Sequence, residues 1–349
     1  VIKGYKLIFT GLTLFLIAAM VGAVCVGAVN ISLPQFWSML ANYTGLSTKP
    51  LYTTQQTAVL LNIRLPRVLL GALIGAALAI SGASLQGLFR NPLAEPGLIG
   101  ISAGATLAAA LTIVFGGPLL NAIGNMYGYY VLAVAAFVGA FITTLTVYRL
   151  AMHNGKTVIT ALLLMGIAIN AIAFAFTGLL TYLSTDEQLR NITFWSLGSL
   201  GGASWISFSS AFPFIIIPLI GLPFLGKSLN AIALGEAQAA HMGISVNRTK
   251  TVVIILSTMA VGASVAVAGL ISFIGLVIPH ILRMAFGADN RLIVPASAIL
   301  GAAALSFSDL LSRTIVAPAE LPIGIVTAIG GSPIFIYMIY TQLKKQQLL

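Results

Sequence analysis

Apolar runs long enough to cross a bilayer leave this chain few folds to choose from. A spanning helix needs about 20 consecutive apolar residues. Runs near that length fall at 7–29, 66–88, 98–116, 128–148, 159–182, 206–226, 251–268, 270–284, 293–311 and 323–342, the eighth being short. Inside a bilayer every backbone group must find its partner within the protein, so each run predicts a helix. The expected fold is an all-α membrane protein of about ten transmembrane helices, with residues 1–349 forming one transmembrane domain. Composition supports this: 59% of residues are hydrophobic and 7% charged, whereas a soluble domain carries about 25% charged residues. The first run follows Lys3 and Lys6 as a signal peptide's would. It is too long for one and lacks a small-x-small exit before Asn30, which predicts a retained first span. The single cysteine, Cys25, cannot build a disulfide framework or a cysteine zinc site and reads as a packed small residue.

Ten spans put both termini on one side. With the lysine-bearing termini in the cytoplasm, that side holds Lys3, Lys6, Arg90, Arg149, Lys156, Lys227, Arg248, Lys250, Arg283, Arg291, Lys344 and Lys345. The other side holds Lys49, Arg64, Arg67, Arg190 and Arg313, which completes the 17 basic residues. Twelve against five follows the positive-inside rule, and the opposite orientation would invert it. Loop asymmetry also accounts for the net charge of +10 without any nucleic-acid partner. Outside, residues 30–62 contain Trp37, Tyr43 and Tyr52 and suit a segment lying on the lipid surface. Residues 186–199 start acidic and have an aromatic centre, as a short surface helix does.

Small residues recur inside the spans. Gly71, Gly75 and Gly82 share nearly one helical face, as do Gly262 and Gly269, which lets helices approach closely. Gly75-Ala-Ala-Leu-Ala-Ile-Ser-Gly82 also resembles Gly262-Ala-Ser-Val-Ala-Val-Ala-Gly269. These copies lie in spans two and seven, which cross in opposite directions, so the pair reads either as chance or as an inverted repeat of the transporter kind.

Chemistry-bearing motifs are few. Gly221-Leu-Pro-Phe-Leu-Gly226-Lys227-Ser228 matches a phosphate-loop pattern. It follows a membrane span instead of a strand, and the chain has no room for a nucleotide-binding domain, so ATP hydrolysis by this chain is not expected. None of the seven acids, Glu95, Asp186, Glu187, Glu236, Asp289, Asp309 and Glu320, falls at a span centre, where an ion-coupled carrier places its ionisable groups. His153, His241 and His280 are not spaced as metal ligands. The transport pathway is expected to be apolar or hydroxyl-lined, with energy supplied from outside the chain.

Two features can receive partners. Arg64 and Arg67, held by Pro66 at the mouth of span two, and Arg313 after span nine suit bidentate pairing with carboxylates of a docking protein, or else interfacial snorkelling. The polar island 230–250 predicts a short helix from Ile232 to Met242, ended by Gly243, and serves as a handle for another protein or as a plain connection.

Seven blocks in order resemble the permease subunits of type II ABC importers for iron chelates, heme and cobalamin. They are Arg64-Leu-Pro-Arg67, Gly75 to Gly82, Arg90-Asn-Pro-Leu-Ala-Glu-Pro-Gly97, Ala233-Leu-Gly-Glu236, Gly275-Leu-Val-Ile-Pro-His280, Glu320-Leu-Pro-Ile-Gly324 and Gly331-Ser-Pro-Ile-Phe335. The resemblance implies a non-enzymatic permease homodimer in the bacterial inner membrane, with the inverted-repeat fold of that importer class. It further implies two ATP-binding subunits that carry the ATP and Mg²⁺, a periplasmic substrate-binding protein, and no cofactor or metal on this chain. It places Arg64, Arg67 and Arg313 at the binding-protein docking site. Ala233, Leu234, Gly235, Glu236, Ala239, His241, Gly243 and Ile244 fall in the helix that couples to the ATPase. Asn91, Leu93 and Thr160 fall at the cytoplasmic gate, where the family's paired hydroxyls stand here as Ile159-Thr160. The stretch 180–195 and the Phe89-Arg-Asn-Pro92 variant are most similar to heme-importing members, with siderophore and cobalamin permeases as alternatives.

Overall fold

The computed structural model describes residues 2–27, 29–45, 51–116 and 125–346. Lys49 lies outside these, as do the side chains of Lys3, Lys344 and Lys345. Among the described residues eight helices are long and apolar enough to cross a membrane, and two shorter apolar ones accompany them, so each of the ten runs holds a helix. The long ones are α1 (Ile2–Cys25), α4 (Leu65–Phe89), α6 (Asn125–Leu150), α7 (Ile159–Tyr182), α9 (Trp205–Phe224), α12 (Val246–Ala268), α14 (Asn290–Thr314) and α15 (Ile323–Gln346); the short ones are α5 (Ile101–Phe115) and α13 (Ile274–Phe286). Among the described residues five further helices lie between them: α2 (Leu33–Tyr43), α3 (Thr54–Val59), α8 (Asp186–Ser196), α10 (Gly226–Leu234) and α11 (Glu236–His241). A two-stranded hairpin, β1 (Met152–His153) with β2 (Lys156–Thr157), joins α6 to α7.

α4 stands at the centre. Its best apolar window is 89% buried, against 11% for α1 and 17% for both α7 and α15. Glycine explains how a helix can be enclosed so completely: Gly75 lies against Gly301 of α14, and Gly82 against Gly275 of α13, so backbones meet where a side chain would hold them apart. The two resembling octapeptides part company here. Gly262 makes only ordinary contacts with Phe137 and Ala140 of α6, and Gly269 caps α12 at φ +69° beside the Trp195 carbonyl. The copies run in opposite senses, yet their glycines serve close packing in one and a helix end in the other.

The second span begins earlier than its apolar run. Residues 54–89 form one continuous helix, with a π turn from Leu60 to Arg64 joining α3 to α4. Pro66 cannot donate a backbone hydrogen bond, and the turn before it widens so that the Leu65 N–H reaches Leu60. The two segments expected on the outer surface contain the short helices α2 and α8. α2 is N-capped by Ser32 with Gln35 and leaves Trp37 and Tyr43 exposed; α8 is capped by Thr185 with Gln188. Tyr52 instead turns inward and accepts a hydrogen bond from Asn42 at 2.8 Å. The phosphate-loop pattern straddles α9 and α10, helix on both sides.

Candidate functional site: the two ends of the bundle and a polar cavity between them

α14 runs from one end of the bundle to the other, about 37 Å for 25 residues. At its far end three arginines converge, each already bonded within the chain. Arg64, the last residue of the π turn and 4% exposed, donates to the carbonyls of Val24 (2.6 Å), Cys25 (3.1 Å) and Val29. Arg67 forks onto Glu320 with two bonds of 2.9 Å and onto Asp309 at 2.9–3.0 Å. Arg313 pairs with the same Asp309 at 3.1 Å and donates to the Ala23 carbonyl at 2.9 Å. Arg67 and Arg313 thus pair with the chain's own carboxylates and Arg64 with main-chain carbonyls, and together they staple the end of α1 to α4 and α14. Spacing along the sequence carries no sign of this, since Arg67 and Glu320 are 253 residues apart. Only Glu320, its side chain 43% exposed, gives the cluster an outlet to the surface.

At the opposite end the polar island folds as two helices, not the single one from Ile232 to Met242. Gly235 breaks it at φ +131°, where a Cβ would also run into the Gln238 side chain. Gly243 ends α11 as the sequence predicts, at φ +82°. The Ile244 N–H bonds to Ala239 and the Gly243 N–H to Ala240, the paired pattern of a glycine-terminated helix. The eight island residues divide by exposure. Ala233, Leu234, His241 and Gly243 face outward; Ala239 is fully buried, and Ile244 packs on the main core. Met242 is 62% exposed and Leu234 69%, so Met242 too faces outward, and it was not singled out from the sequence. Its signal was its place one residue before the capping glycine.

Helices α10 and α11 are bolted to the rest of the bundle by side-chain bonds at two points. Asn230 of α10 donates to Asp289 at 2.6 Å and accepts from both the backbone and side chain of Asn290, at 2.8 and 2.9 Å. Tyr5 of α1 donates to the same Asp289 at 2.8 Å. The Arg291 guanidinium, helped by Asn230, the Arg291 N–H and Tyr5, holds the Asp289 carboxyl well below the usual carboxylate range. Its contribution is therefore present above a carboxylate's ordinary pKa of about 3.9. It is lost only as pH falls through the lower folded value, so mild acid leaves this junction intact. The second point is Glu236, whose carboxylate accepts from Lys250 at 2.7 Å.

Between the ends, the chain after α4 turns back into the bundle. Arg90 adopts a left-handed conformation at φ +51°, and Asn91 accepts from the Leu93 N–H at 2.9 Å, closing a tight turn with Leu93 exposed. A short 3₁₀ turn, Pro96–Ile99, follows. Asn170, eleven residues into α7, donates to Gly97 at 2.9 Å. Leu78 of α4 also neighbours this turn, about 16 Å along the helix from Phe89. Glu95 thereby lines a cavity of about 300 Å³ at membrane depth with Asn170, Ser102, Ser272 and Phe174. The acid reaches this cavity on a re-entrant loop and not from the middle of a helix. Thr160 is exposed in the first turn of α7, at the end of the bundle that also carries the island.

An all-helical membrane bundle with a central α4, a re-entrant turn beside it and a two-helix hook at one end is the architecture of a type II ABC importer permease. The chain belongs to the FecCD transport family, whose profile matches residues 14–341. It is 41% identical over 345 residues to the hemin transport system permease protein HmuU of Yersinia pestis, covering 98% of this chain and 97% of that one. It is 42% identical over 282 residues to the vitamin B12 import system permease protein BtuC of Vibrio parahaemolyticus, covering 80% and 82%. A solved inward-facing structure assigned to the metal-chelate type of ABC transporter superposes with a TM-score of 0.83 at 31% identity, over 96% of this chain and 99% of that one. PsaBC from Streptococcus pneumoniae, at 15% identity and a TM-score of 0.54 over 81% and 93% of the two chains, shares the fold.

Proposed function

We propose that this chain is the membrane permease subunit of an ATP-driven importer that carries heme across the bacterial inner membrane by alternating access. It works as a homodimer with two ATP-binding subunits, which hold the ATP and Mg²⁺, and a periplasmic substrate-binding protein; both of its termini are cytoplasmic. The likeness to the hemin permease along nearly the whole of both chains carries the substrate choice, because the cobalamin permease matches over a shorter stretch. Cobalamin and ferric siderophores are the second reading. Uptake into proteoliposomes holding the permease, its ATPase and its binding protein separates them when hemin, cobalamin and a ferric siderophore are compared with and without ATP. ATP-dependent hemin accumulation is expected. Accumulation of another chelate overturns the substrate, and uptake driven by an ion gradient without ATP overturns the importer class in favour of a secondary transporter.

The hook formed by α10 and α11 is the ATPase contact in this reading, with Leu234 and Met242 as its apolar anchors. Buried anchors of this kind contribute about 2 kcal/mol or more each. Leu234→Asp with Met242→Asp is therefore expected to abolish co-purification of the ATPase while leaving the permease folded. Retained co-purification would remove the hook from that interface. At the opposite end the binding protein docks on the rim that Arg64, Arg67 and Arg313 hold together, and Arg67 meets the partner's carboxylates by releasing Glu320. Glu320→Gln weakens the internal competitor, so the binding protein should bind more tightly, by about threefold for a rim charge. An unchanged or weaker Kd would exclude Arg67 from docking. Asn91, Leu93 and Thr160 line the cytoplasmic gate.

A further inference from the structure

The buried lysine at the start of α12 has a task that a hydrophobic residue could not perform. Lys250 is 2% exposed, and its Nζ makes two bonds in different directions: 2.7 Å to the Glu236 carboxylate at the start of α11, and 2.8 Å to the Thr157 carbonyl. Thr157 is itself buried, closes the hairpin between α6 and α7, and precedes the first residue of α7 by two. Lys250 is thus a single side chain that touches both the hook and the root of the helix bearing Thr160.

Its neighbours show that this face of α12 is built for the hairpin. Asn247, Lys250 and Thr251 stand at i, i+3 and i+4, on one side of the helix. Asn247 donates to the Gly155 carbonyl at 3.5 Å, and Thr251 shares a hydrogen bond with the Tyr148 hydroxyl at 2.7 Å. Tyr148 in turn accepts from Thr157 at 3.4 Å. Lys250 alone in that stripe continues to α11. Stability does not call for it, because a buried ion pair gains little over a well-packed apolar side chain of similar size. What a charge adds is a directional tether at both ends.

We propose that Lys250 is the positioning residue that transmits displacement of α11 to the cytoplasmic end of α7. The inference rests on the hook being the ATPase contact. When the ATPase shifts α11, Glu236 draws the ammonium with it, and the Thr157 carbonyl follows because the same ammonium holds it. The hairpin then reorients the first turn of α7. The Asn230 junction ties the same hook to the start of α14.

The decisive experiment compares wild type, Lys250→Met and Lys250→Arg in the complete complex with ATPase and binding protein. Methionine keeps the length and packing and loses both tethers; arginine keeps a cation that donates in two directions. Hemin taken up per ATP hydrolysed should fall by about twofold to thirtyfold in Lys250→Met, the range spanned by residues along a transmission route. The ATPase should still co-purify, and Lys250→Arg should restore most of the ratio. An unchanged ratio in Lys250→Met overturns the proposal, and so does loss of ATPase co-purification, since Lys250 would then only shape the hook. Amide hydrogen exchange in the wild-type complex gives a readout that needs neither a variant nor a transported substrate. Exchange at residues 159–163 should change between the nucleotide-free and ATP-bound states, and identical exchange there would overturn the proposal. If the double aspartate variant of the hook keeps its ATPase, the interface reading has failed instead, which the same co-purification reports separately.

Discussion

Asp309→Leu is expected to be among the most destabilising single changes in this protein. Asp309 is 2% exposed and is shared by Arg67 and Arg313, each with its side chain 8% exposed. Without it, two guanidinium groups face each other with one half-exposed Glu320 between them. Removing one member of a buried ionic cluster costs about 3–5 kcal/mol, because the remaining charges stay desolvated and unpaired. Asp309→Asn keeps the shape and one acceptor oxygen, so its loss should be smaller. Thermal unfolding of the three proteins in one detergent tests the order wild type, Asn, Leu. A leucine variant as stable as wild type would mean that the cluster is not what holds α1 and α14 to α4.

Gly82→Ala should cost about 1–3 kcal/mol, the range for overpacking a filled interior. The added methyl would lie 2.8 Å from the Gly275 Cα and nearer still to its carbonyl, and backbone cannot swing aside as a side chain can. α4 and α13 must separate. Pro96 lies beside Gly275, so the re-entrant turn that carries Glu95 would be displaced and transport should fall along with stability. Gly11→Ala in α1 is the control. Nothing lies within 4 Å of its added Cβ, and alanine is the better helix former, so no loss is expected. Equal unfolding temperatures for the Gly82 and Gly11 variants would refute the close-packing account.

Much of this was legible in the residues. Hydrocarbon cannot satisfy a backbone, so the length of each apolar run determined a helix, and all ten runs became one. Gly243 at the end of the island and the paired glycines of α4 were readable because each answers a local need, positive φ in the first case and close approach in the second. The polar island stood out because little else in the chain is polar.

What the sequence could not reveal was decided by contacts between distant segments. Arg64, Arg67 and Arg313 read as groups for a docking protein's carboxylates or for snorkelling, because the end of α1 that meets Arg64 and the Asp309 and Glu320 that meet Arg67 are remote in the chain. Glu95 read as a loop acid because no span contains it; packing of the turn against Gly275 and Asn170 takes it to membrane depth. Lys250 counted among the basic residues of a loop until α12 buried it between Glu236 and Thr157. Periodicity and composition report how a segment meets its solvent, and they determined the helices. Charge pairing depends on which ends the fold brings within about 3 Å, and that only the tertiary structure decided.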